Sequence, residues 1–587
     1  MEISPPGAAQ SGSVPIRQDT RSDQVGAAAS TTRIDDILRS LGVPPNQIRL
    51  GRLRAELTGE HLAQVLADFG LLSGEGVARA QALEHGSVAY WSPDAARAVP
   101  GSRFADLALE VGDHDGFVPV DWDGRTLTVA VEHSSRMLAA GNAFHRFACR
   151  FVFASRQTIR QVWGRCFSAS EAHVDLALDP FRQRGGLTME ASVSGSEVRT
   201  LLSALLRHAC LVGASDIHLY RSGSVGLLRL TVDGIGQIFR VLPDACYERL
   251  ITRLVHDARV REDDLRQAGL REGALDPGEL ASLPDGGLFV RYAFRIELGQ
   301  ARSGRTAVIR ILDRESNTAD FSTLGFDAET DRALRRTVQQ SSGLVLITGP
   351  TGSGKTTTLY ALLKLIDPEQ VSIQSIENPV EFHHGLWMQY EVRRLADHEG
   401  VEWARWLKGL LRNAPRIILM GEVRDAETAR ILMEGANTGH LVFTTLHANS
   451  AASTVNRLRR LGVDDADLAD ALQGILAQRL VRALCATCAE SDPRDEEHWP
   501  RLRRASAAGC PACSYTGYRG RLLIYEFLQM NARVRAAILA GATSDELRVA
   551  GYLGGRTLWQ SGERLLAAGL TSIEELERVT GETWGQR

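Results

Sequence analysis

A six-residue apolar run, Gly343 to Thr348, breaks into a glycine-spaced turn that ends in a lysine: Gly349-Pro350-Thr351-Gly352-Ser353-Gly354-Lys355-Thr356-Thr357. That order of residue types suits one local structure. The apolar run reads as a strand buried on both faces, the glycines open backbone conformations closed to other residues, and the stretch after Lys355 begins a helix. Successive N–H groups of such a turn point inward, and the helix start adds partial positive charge, which makes a cradle for phosphate oxygens. Lys355 is expected on the β- and γ-phosphates of ATP, and the Thr356 hydroxyl on Mg²⁺. Lysine is otherwise scarce, since among 67 basic side chains the only others are Lys364 and Lys408. A chance match to the full pattern is correspondingly rare.

From about Phe321 onward, apolar runs at Gly343 to Thr348, Val371 to Ile376, Ile417 to Met420 and Leu441 to Thr445 alternate with helical spacing. Alternation of this kind predicts a mostly parallel α/β sheet, whose ligands gather at the carboxyl ends of the strands. The run Ile417 to Met420 ends in Gly421-Glu422, which would deliver a carboxylate beside the phosphate turn to act on water or through Mg²⁺. The plainer alternative for Glu422 is a surface carboxylate paired with Arg424.

A chain of 587 residues exceeds what one core usually supports, and composition shifts suggest where it divides. Residues 1–32, rich in Ala, Gly, Ser, Gln and Pro, read as a disordered tail. Residues 33–167 read as a small mixed domain, with helical spacing at Leu62, Val65, Leu66 and Phe69 and two strands meeting at Asp123-Gly124. Residues 168–196 lack sustained periodicity and read as a linker; 197–318 form a second domain of short strands, and 319–587 the α/β domain. A net charge of −4 and a pI near 6.5 supply no basic field for nucleic acid, and no direct nucleic-acid partner is expected. No apolar run reaches 18 residues, so the chain is expected in the cytoplasm.

Cys485-Ala-Thr-Cys488 and Cys510-Pro-Ala-Cys513 are two knuckles separated by 21 residues (489 to 509), a spacing suited to a closed tetrahedral Zn²⁺ site that folds a subdomain near 485–525. Four unlinked buried thiols are the alternative. Cys149, Cys166, Cys210 and Cys246 are expected as buried small residues.

With these motifs in order, the chain from about 197 to 530 resembles the ATPases of type II secretion and type IV pilus assembly. The resemblance rests on Ala214-Ser-Asp-Ile-His218, Gly349 to Thr358, Glu377-Asn-Pro-Val-Glu381, Gly421-Glu-Val-Arg-Asp425, Thr438 to His447, Ala477-Gln-Arg-Leu-Val481 and Gly517-Tyr-Arg-Gly-Arg521. It implies a RecA-like P-loop NTPase domain preceded by two smaller α+β domains, the second PAS-like, and carrying a Cys₄ zinc subdomain. It also implies a cytoplasmic motor that hydrolyses ATP as a homohexamer, attached peripherally to the inner membrane through a platform protein and other parts of a secretion or pilus machine. By the same resemblance Glu377 and Glu381 lie near Mg²⁺ and water, Glu422 is the Walker B glutamate, and His440 and His447 form a histidine box. Arg229, just before Val232-Asp233-Gly234, and Arg221 match arginines that reach a neighbouring subunit's nucleotide. Taken alone, each histidine reads as a structural hydrogen-bonding residue and each arginine as a surface charge. Arg49-Leu50-Gly51 resembles part of a cyclic di-GMP pattern that the next residues do not continue, and that ligand is not expected.

Three departures bear on rate. Asn378 stands where the family has aspartate, Thr231 where it has a second arginine, and the loop from about Arg261 to Gly287 lacks the usual lysine- and glutamine-containing motif. Two alternatives stay open: a conjugation-type secretion ATPase of the same superfamily, and a nucleotide-responsive scaffold with little hydrolysis.

Overall fold

The computed structural model describes residues 34–92, 116–156, 158–159, 162, 169–183, 195–261, 270–275, 280, 289, 292–313, 320–392, 402–494, 499–510, 513 and 515–585. The expected tail and Cys166 lie outside these residues. Three large sheets follow one another along the chain.

Before the first sheet come helices α1 (Pro45–Thr58), α2 (Leu62–Asp68) and α3 (Gly74–His85), which close a core of Ile48, Leu62, Leu66, Leu72 and Val77. Strands β1 (Ala89–Tyr90), β2 (Phe117–Trp122), β3 (Thr126–Val131) and β4 (Ala148–Phe153) pair in the order β1-β4-β3-β2. The Asp123-Gly124 turn sits where alternation places it. The Asp123 carboxylate accepts the N–H groups of Arg125 at 2.9 Å and Thr126 at 2.7 Å, and Gly124 takes φ 95°.

The stretch expected as a linker contains a helix, α4 (Ala169–Gln183). Val174, Leu178 and Phe181 recur at helical spacing and bury against α5 (Gly195–Leu211). Read as one unit, residues 168–196 average this amphipathic half with the Gly- and Ser-containing half that follows, and the periodicity disappears. Arg240 holds α4 along the flank of that stripe, with Glu171 at 2.7 Å and Asp175 at 2.8 Å, while its guanidinium covers the Phe239 ring at 4.1 Å.

The second sheet is antiparallel throughout: β5 (Ala214–Ser222), β6 (Val225–Val232), β7 (Ile235–Pro243), β8 (Leu270–Ala274), β9 (Tyr292–Ala301) and β10 (Gly304–Asp313), in the order β7-β6-β5-β10-β9-β8. It packs on α5 and α6 (Asp244–Asp257). Asp233 and Gly234, at φ 50° and 79°, turn β6 into β7 as a two-residue hairpin, the twist-matched loop that Asp-Gly favours. The stretch 261–287, read as a loop, contributes β8 as an edge strand.

The third sheet contains β11 (Gly343–Thr348), β12 (Ile373–Glu377), β13 (Met388–Glu391), β14 (Ile417–Met420), β15 (Leu441–Leu446), β16 (Leu472–Leu484) and, beyond the short pair β17 (Glu490–Ser491) and β18 (Arg503–Arg504), β19 (Tyr518–Gln529). Its order is β13-β12-β14-β15-β11-β16-β19, parallel except for the β16/β19 edge. Every residue of β11, β14 and β15 is buried, which is why these strands read as unbroken apolar runs. This is the mostly parallel α/β sheet that the alternation predicts. Helix α7 (Lys355–Leu363) leaves the β11 turn and ends at Lys364, partly buried and in the field of Asp320.

The N-terminal helices dock at that far end. Asn46 donates to Asp367 at 2.9 Å and Glu369 at 2.8 Å, and Arg49 pairs with Glu369 at 3.3 Å. Gly70 (φ 72°) lies so close to the His384 ring that a Cβ would sit 2.5 Å from it.

Breaking the α4 anchor should loosen that helix alone. In Arg240→Ala, amide exchange across 171–182 is expected to rise about fivefold, the loss of roughly one partly exposed ion-pair contact, with β11 unchanged. Unchanged exchange would show that apolar burial alone holds α4.

Candidate active site

The register of the third sheet selects which side chains meet. Thr348 pairs with Leu446, and Met420 lies beside Thr444, so the turn after β11, Gly421-Glu422 after β14 and His447 after β15 emerge on one edge. Thr445 Oγ1 donates to the Gly421 carbonyl at 2.6 Å, and the Val423 N–H to the Thr445 carbonyl at 3.1 Å, which holds the glutamate turn on its strand.

The glycine turn is held by β16. Gly349 takes φ 151°, and a Cβ there would meet the Gln478 carbonyl at 2.5 Å, so only glycine fits. Gln478 Nε2 donates to the Ser353 carbonyl at 2.7 Å. Gly352 and Gly354 take φ 77° and 83°. Lys355 Nζ donates to the carbonyls of Gly349 at 3.0 Å and Pro350 at 2.9 Å. Burial lowers its pKa to about 8, while Glu422 and Glu381 pull the other way, so the ammonium lies in the field of two carboxylates.

Glu381 is raised by burial and drawn back down by a hydrogen bond from Thr356 and by the charges of Lys355, Arg310 and Arg295. Glu422 pairs with Arg424, as the plainer reading has it, but also faces His447 Nε2 at 3.6 Å. Burial and Lys355 lower the His447 pKa against Glu422 and a hydrogen bond to the Gly349 backbone, which favours a neutral imidazole.

Several expected residues sit elsewhere. Glu377 is buried below the turn, where both carboxylate oxygens accept from Tyr360 at 2.8 Å and one accepts from Ser375 at 2.6 Å. It holds α7 down, whereas Glu381, four residues on, reaches Thr356. His440 precedes β15 at the opposite edge of the sheet, about 20 Å from His447 by strand rise. Its Nδ1 meets the Gly435 carbonyl at 3.0 Å, and its own carbonyl accepts from the Gly343 N–H at 3.0 Å, so the structural reading describes it. Arg221 is tied to Asp244 at 2.5 Å and Glu248 at 3.3 Å at the start of α6. Arg229 is exposed on β6 opposite His218, and neither arginine reaches the turn of its own chain.

Three arginines were not singled out by sequence reasoning. Arg295 donates to Asn378 Oδ1 at 3.1 Å, and Arg310 joins it in the field at Glu381. Arg479 follows the Gln478 clamp, donates to the Asn449 carbonyl at 2.9 Å and lowers the Lys355 pKa by its charge. Arg479 lies inside Ala477 to Val481, so a signal existed; the other two come from a different sheet.

The four knuckle cysteines converge. Sγ atoms lie 3.7 Å apart for Cys485 and Cys510, 3.8 Å for Cys488 and Cys513, and 3.8 Å for Cys510 and Cys513. Disulfides need about 2.05 Å. Tetrahedral zinc with Zn–S of about 2.3 Å requires edges of about 3.8 Å, which these match. The Cys513 sulfur accepts backbone N–H groups from Cys510 at 3.3 Å and Gly517 at 3.2 Å, the outer support a thiolate ligand needs. Among the remaining cysteines, Cys210 and Cys246 are buried and Cys149 is partly so.

Compared with known proteins, residues 191–578 match the family model described as "Type II/IV secretion system protein". The chain belongs to this family. It is 36% identical over 396 residues to type II secretion system protein E of Pectobacterium carotovorum subsp. carotovorum, across 65% of this chain and 75% of that one. It is 31% identical over 546 residues to the type IV pilus assembly ATPase PilB of Thermus thermophilus, across 88% of this chain and 59% of that one. Among solved structures, the pilus retraction motor PilT with bound ADP matches at TM-score 0.44 and 25% identity, over 64% of this chain and 96% of that one.

Burial lifts the Glu377 carboxyl to about 7, above its ordinary value of 4.5. The folded state then holds a proton that the unfolded state has released, so this contribution to stability is complete below about 4.5 and is lost as pH rises through about 7. Thermal scans from pH 5 to 8 should fall more steeply for the wild type than for Glu377→Gln. Parallel curves would remove Glu377 as the cause.

Proposed function

We propose that this chain is the cytoplasmic ATPase motor of a type II secretion or type IV pilus-assembly machine. The observation that carries this reading is Lys355, set between Glu381 and Glu422 at the mouth of the glycine turn on the carboxyl edge of the sheet. Backbone N–H groups from Gly349 to Thr357 and the Lys355 ammonium would take the phosphates of ATP. Glu422 would orient and deprotonate the attacking water, with neutral His447 beside the γ-phosphate. Thr356 and Glu381 share a hydrogen bond and present oxygens beside the lysine, a donor set suited to Mg²⁺, which when bound would neutralise phosphate charge. Asn378 removes one carboxylate, but Glu381 remains, and the amide engages Arg295. This exchange would make turnover slower than in relatives with aspartate there.

In the proposed assembly, residues 33–167 engage a membrane platform protein, 197–318 form the moving second domain, and 319–587 hold the nucleotide. Six chains would form a ring in which Arg229 reaches a neighbour's nucleotide, while Arg295 and Arg310 face the site of their own chain. Contacts to a γ-phosphate present in one nucleotide state and absent in the other would favour different arrangements of the two domains, and that difference is the motor's stroke. The chain would sit peripherally at the inner membrane through its partners. The four cysteines would hold one Zn²⁺ with no open coordination position, in a structural role.

Steady-state ATP hydrolysis by the zinc-loaded protein, with light scattering at each concentration, tests this reading. Glu422→Gln should lose at least about 100-fold in kcat while keeping ATP affinity within about threefold, and Lys355→Ala should lose binding. Equal rates for wild type and Glu422→Gln would sink the motor reading and favour the scaffold. Elemental analysis should find one zinc per chain, and Cys513→Ser should lose it and raise amide exchange across 485–517 with the glycine turn intact.

A further inference from the structure

Two motifs singled out in the sequence have no part in the nucleotide site, yet the structure puts them in contact. Val232-Asp233-Gly234 forms the tip of the β6/β7 hairpin on the second sheet, and Gly517-Tyr-Arg-Gly-Arg521 leads out of the cysteine knuckles into β19 of the third sheet. Asp233 Oδ2 accepts the Gly520 N–H at 2.9 Å, and Oδ1 lies 3.6 Å from Arg521 Nε. Gly520 takes φ 76°, a left-handed conformation that glycine adopts without strain.

The receiving start of β19 is anchored to the knuckles. The Gly517 N–H donates to Cys513 Sγ at 3.2 Å, and the Gly517 carbonyl accepts from the Cys485 N–H at 2.9 Å. A Cβ on Gly517 would lie 2.9 Å from Ala505 and from the Ser506 carbonyl, so the strand start is seated tightly against the segment between the knuckles. Tyr518 is pinned by a hydrogen bond to Ser572 at 2.7 Å and by Arg482 over its ring at 3.9 Å. Asp233 thus meets a rigid receptor.

A second hydrogen bond crosses between the same two sheets, from Arg295 of β9 to Asn378 at 3.1 Å. The two contacts come from opposite sides of the second sheet, since β6/β7 and β8/β9 are its two edges. One contact leaves a sheet free to rotate, whereas a second restricts that rotation to the line joining the two. We propose that Asp233 is a positioning residue for ATP hydrolysis: its carboxylate latches the hairpin tip to Gly520-Arg521 at the irregular start of β19, holding the second sheet where Arg295 reaches Asn378 and, with Arg310, acts on Glu381. The cysteine knuckles then serve as the foundation of that latch as well as the staple of their own loop.

This inference rests on the ATPase reading, and its test includes a readout that does not. Asp233 also has a plain role as a hairpin residue, and the two roles separate cleanly by substitution. Asp233→Gly leaves a Gly-Gly tip that adopts the same two-residue turn without strain, so a mere turn residue would be replaced at no cost. The latch would be lost. Asp233→Asn keeps both the turn preference and an oxygen acceptor for the Gly520 N–H, and removes only the charge facing Arg521.

In the full-length zinc-loaded protein, Asp233→Gly is expected to raise amide exchange at 518–522 about tenfold and lower kcat about tenfold, the effect of one charge-assisted hydrogen bond. Affinity for a non-hydrolysable ATP analogue should stay within about twofold, because the glycine turn lies wholly on the third sheet. Asp233→Asn should recover most of both losses, and adding Arg521→Ala to Asp233→Gly should cost nothing further. Wild-type exchange and kcat in Asp233→Gly would overturn the latch, as would full additivity with Arg521→Ala. If Asp233→Gly fails to fold, judged by lost zinc content, Arg521→Ala alone decides: about threefold faster exchange at 230–236 supports the latch, and no change overturns it. Should the wild type prove not to hydrolyse ATP, the ATPase reading fails, while the exchange measurements still decide whether the latch exists.

Discussion

The parallel pairing of β11 between β15 and β16 is the constraint from which the site follows. On the β15 side it aligns Thr348 with Leu446, so that His447 leaves its strand level with the glycine turn. On the β16 side it presses the Gln478 carbonyl against Gly349 and lets the Gln478 amide hold Ser353. Strand direction does the rest. Had β15 run the other way, His440 would stand at the cradle and His447 at the far edge. Three successive strands ending together turn separate sequence motifs into one cluster around Lys355, and the second sheet adds Arg295 and Arg310 from outside it.

What was legible in the sequence was whatever depends on local order or on burial of both faces. The runs Gly343 to Thr348 and Ile417 to Met420 coincide with β11 and β14 because strands covered on both sides need apolar residues at every position. The Asp-Gly turn at 123–124 and the two cysteine knuckles announce themselves by spacing, since turn chemistry and metal geometry act over a few residues. The glycine turn belongs to the same class.

Less legible was anything decided by which way a side chain leaves its strand. Glu377 and Glu381 look alike in a motif, but one points into the sheet toward Tyr360 and the other out to Thr356. His440 and His447 are divided by a full strand length. Arg295 and Arg310 belong to a different sheet, and only the docking of that sheet brings them near Glu381. Helix α4 was hidden by averaging, its apolar face of Val174, Leu178 and Phe181 diluted by the residues that follow.

Helix α7 joins two places that the sequence keeps apart. Its first turn forms the phosphate cradle, and after nine residues, about 13 Å of rise, it delivers Lys364 and the Asp367-to-Glu369 loop that Asn46 and Arg49 grip from the N-terminal helices. A helix this short, with Thr358 to Leu363 buried, has little room to bend. A nucleotide in the cradle and the N-terminal helices would meet opposite ends of one helix, and thermodynamic reciprocity would then apply: a nucleotide that tightened the grip at the far end would itself be bound more tightly when that grip is closed, by the same factor. The exposed Arg49–Glu369 ion pair is weak on its own and the Asn46 contacts are ordinary hydrogen bonds, which keeps the grip reversible.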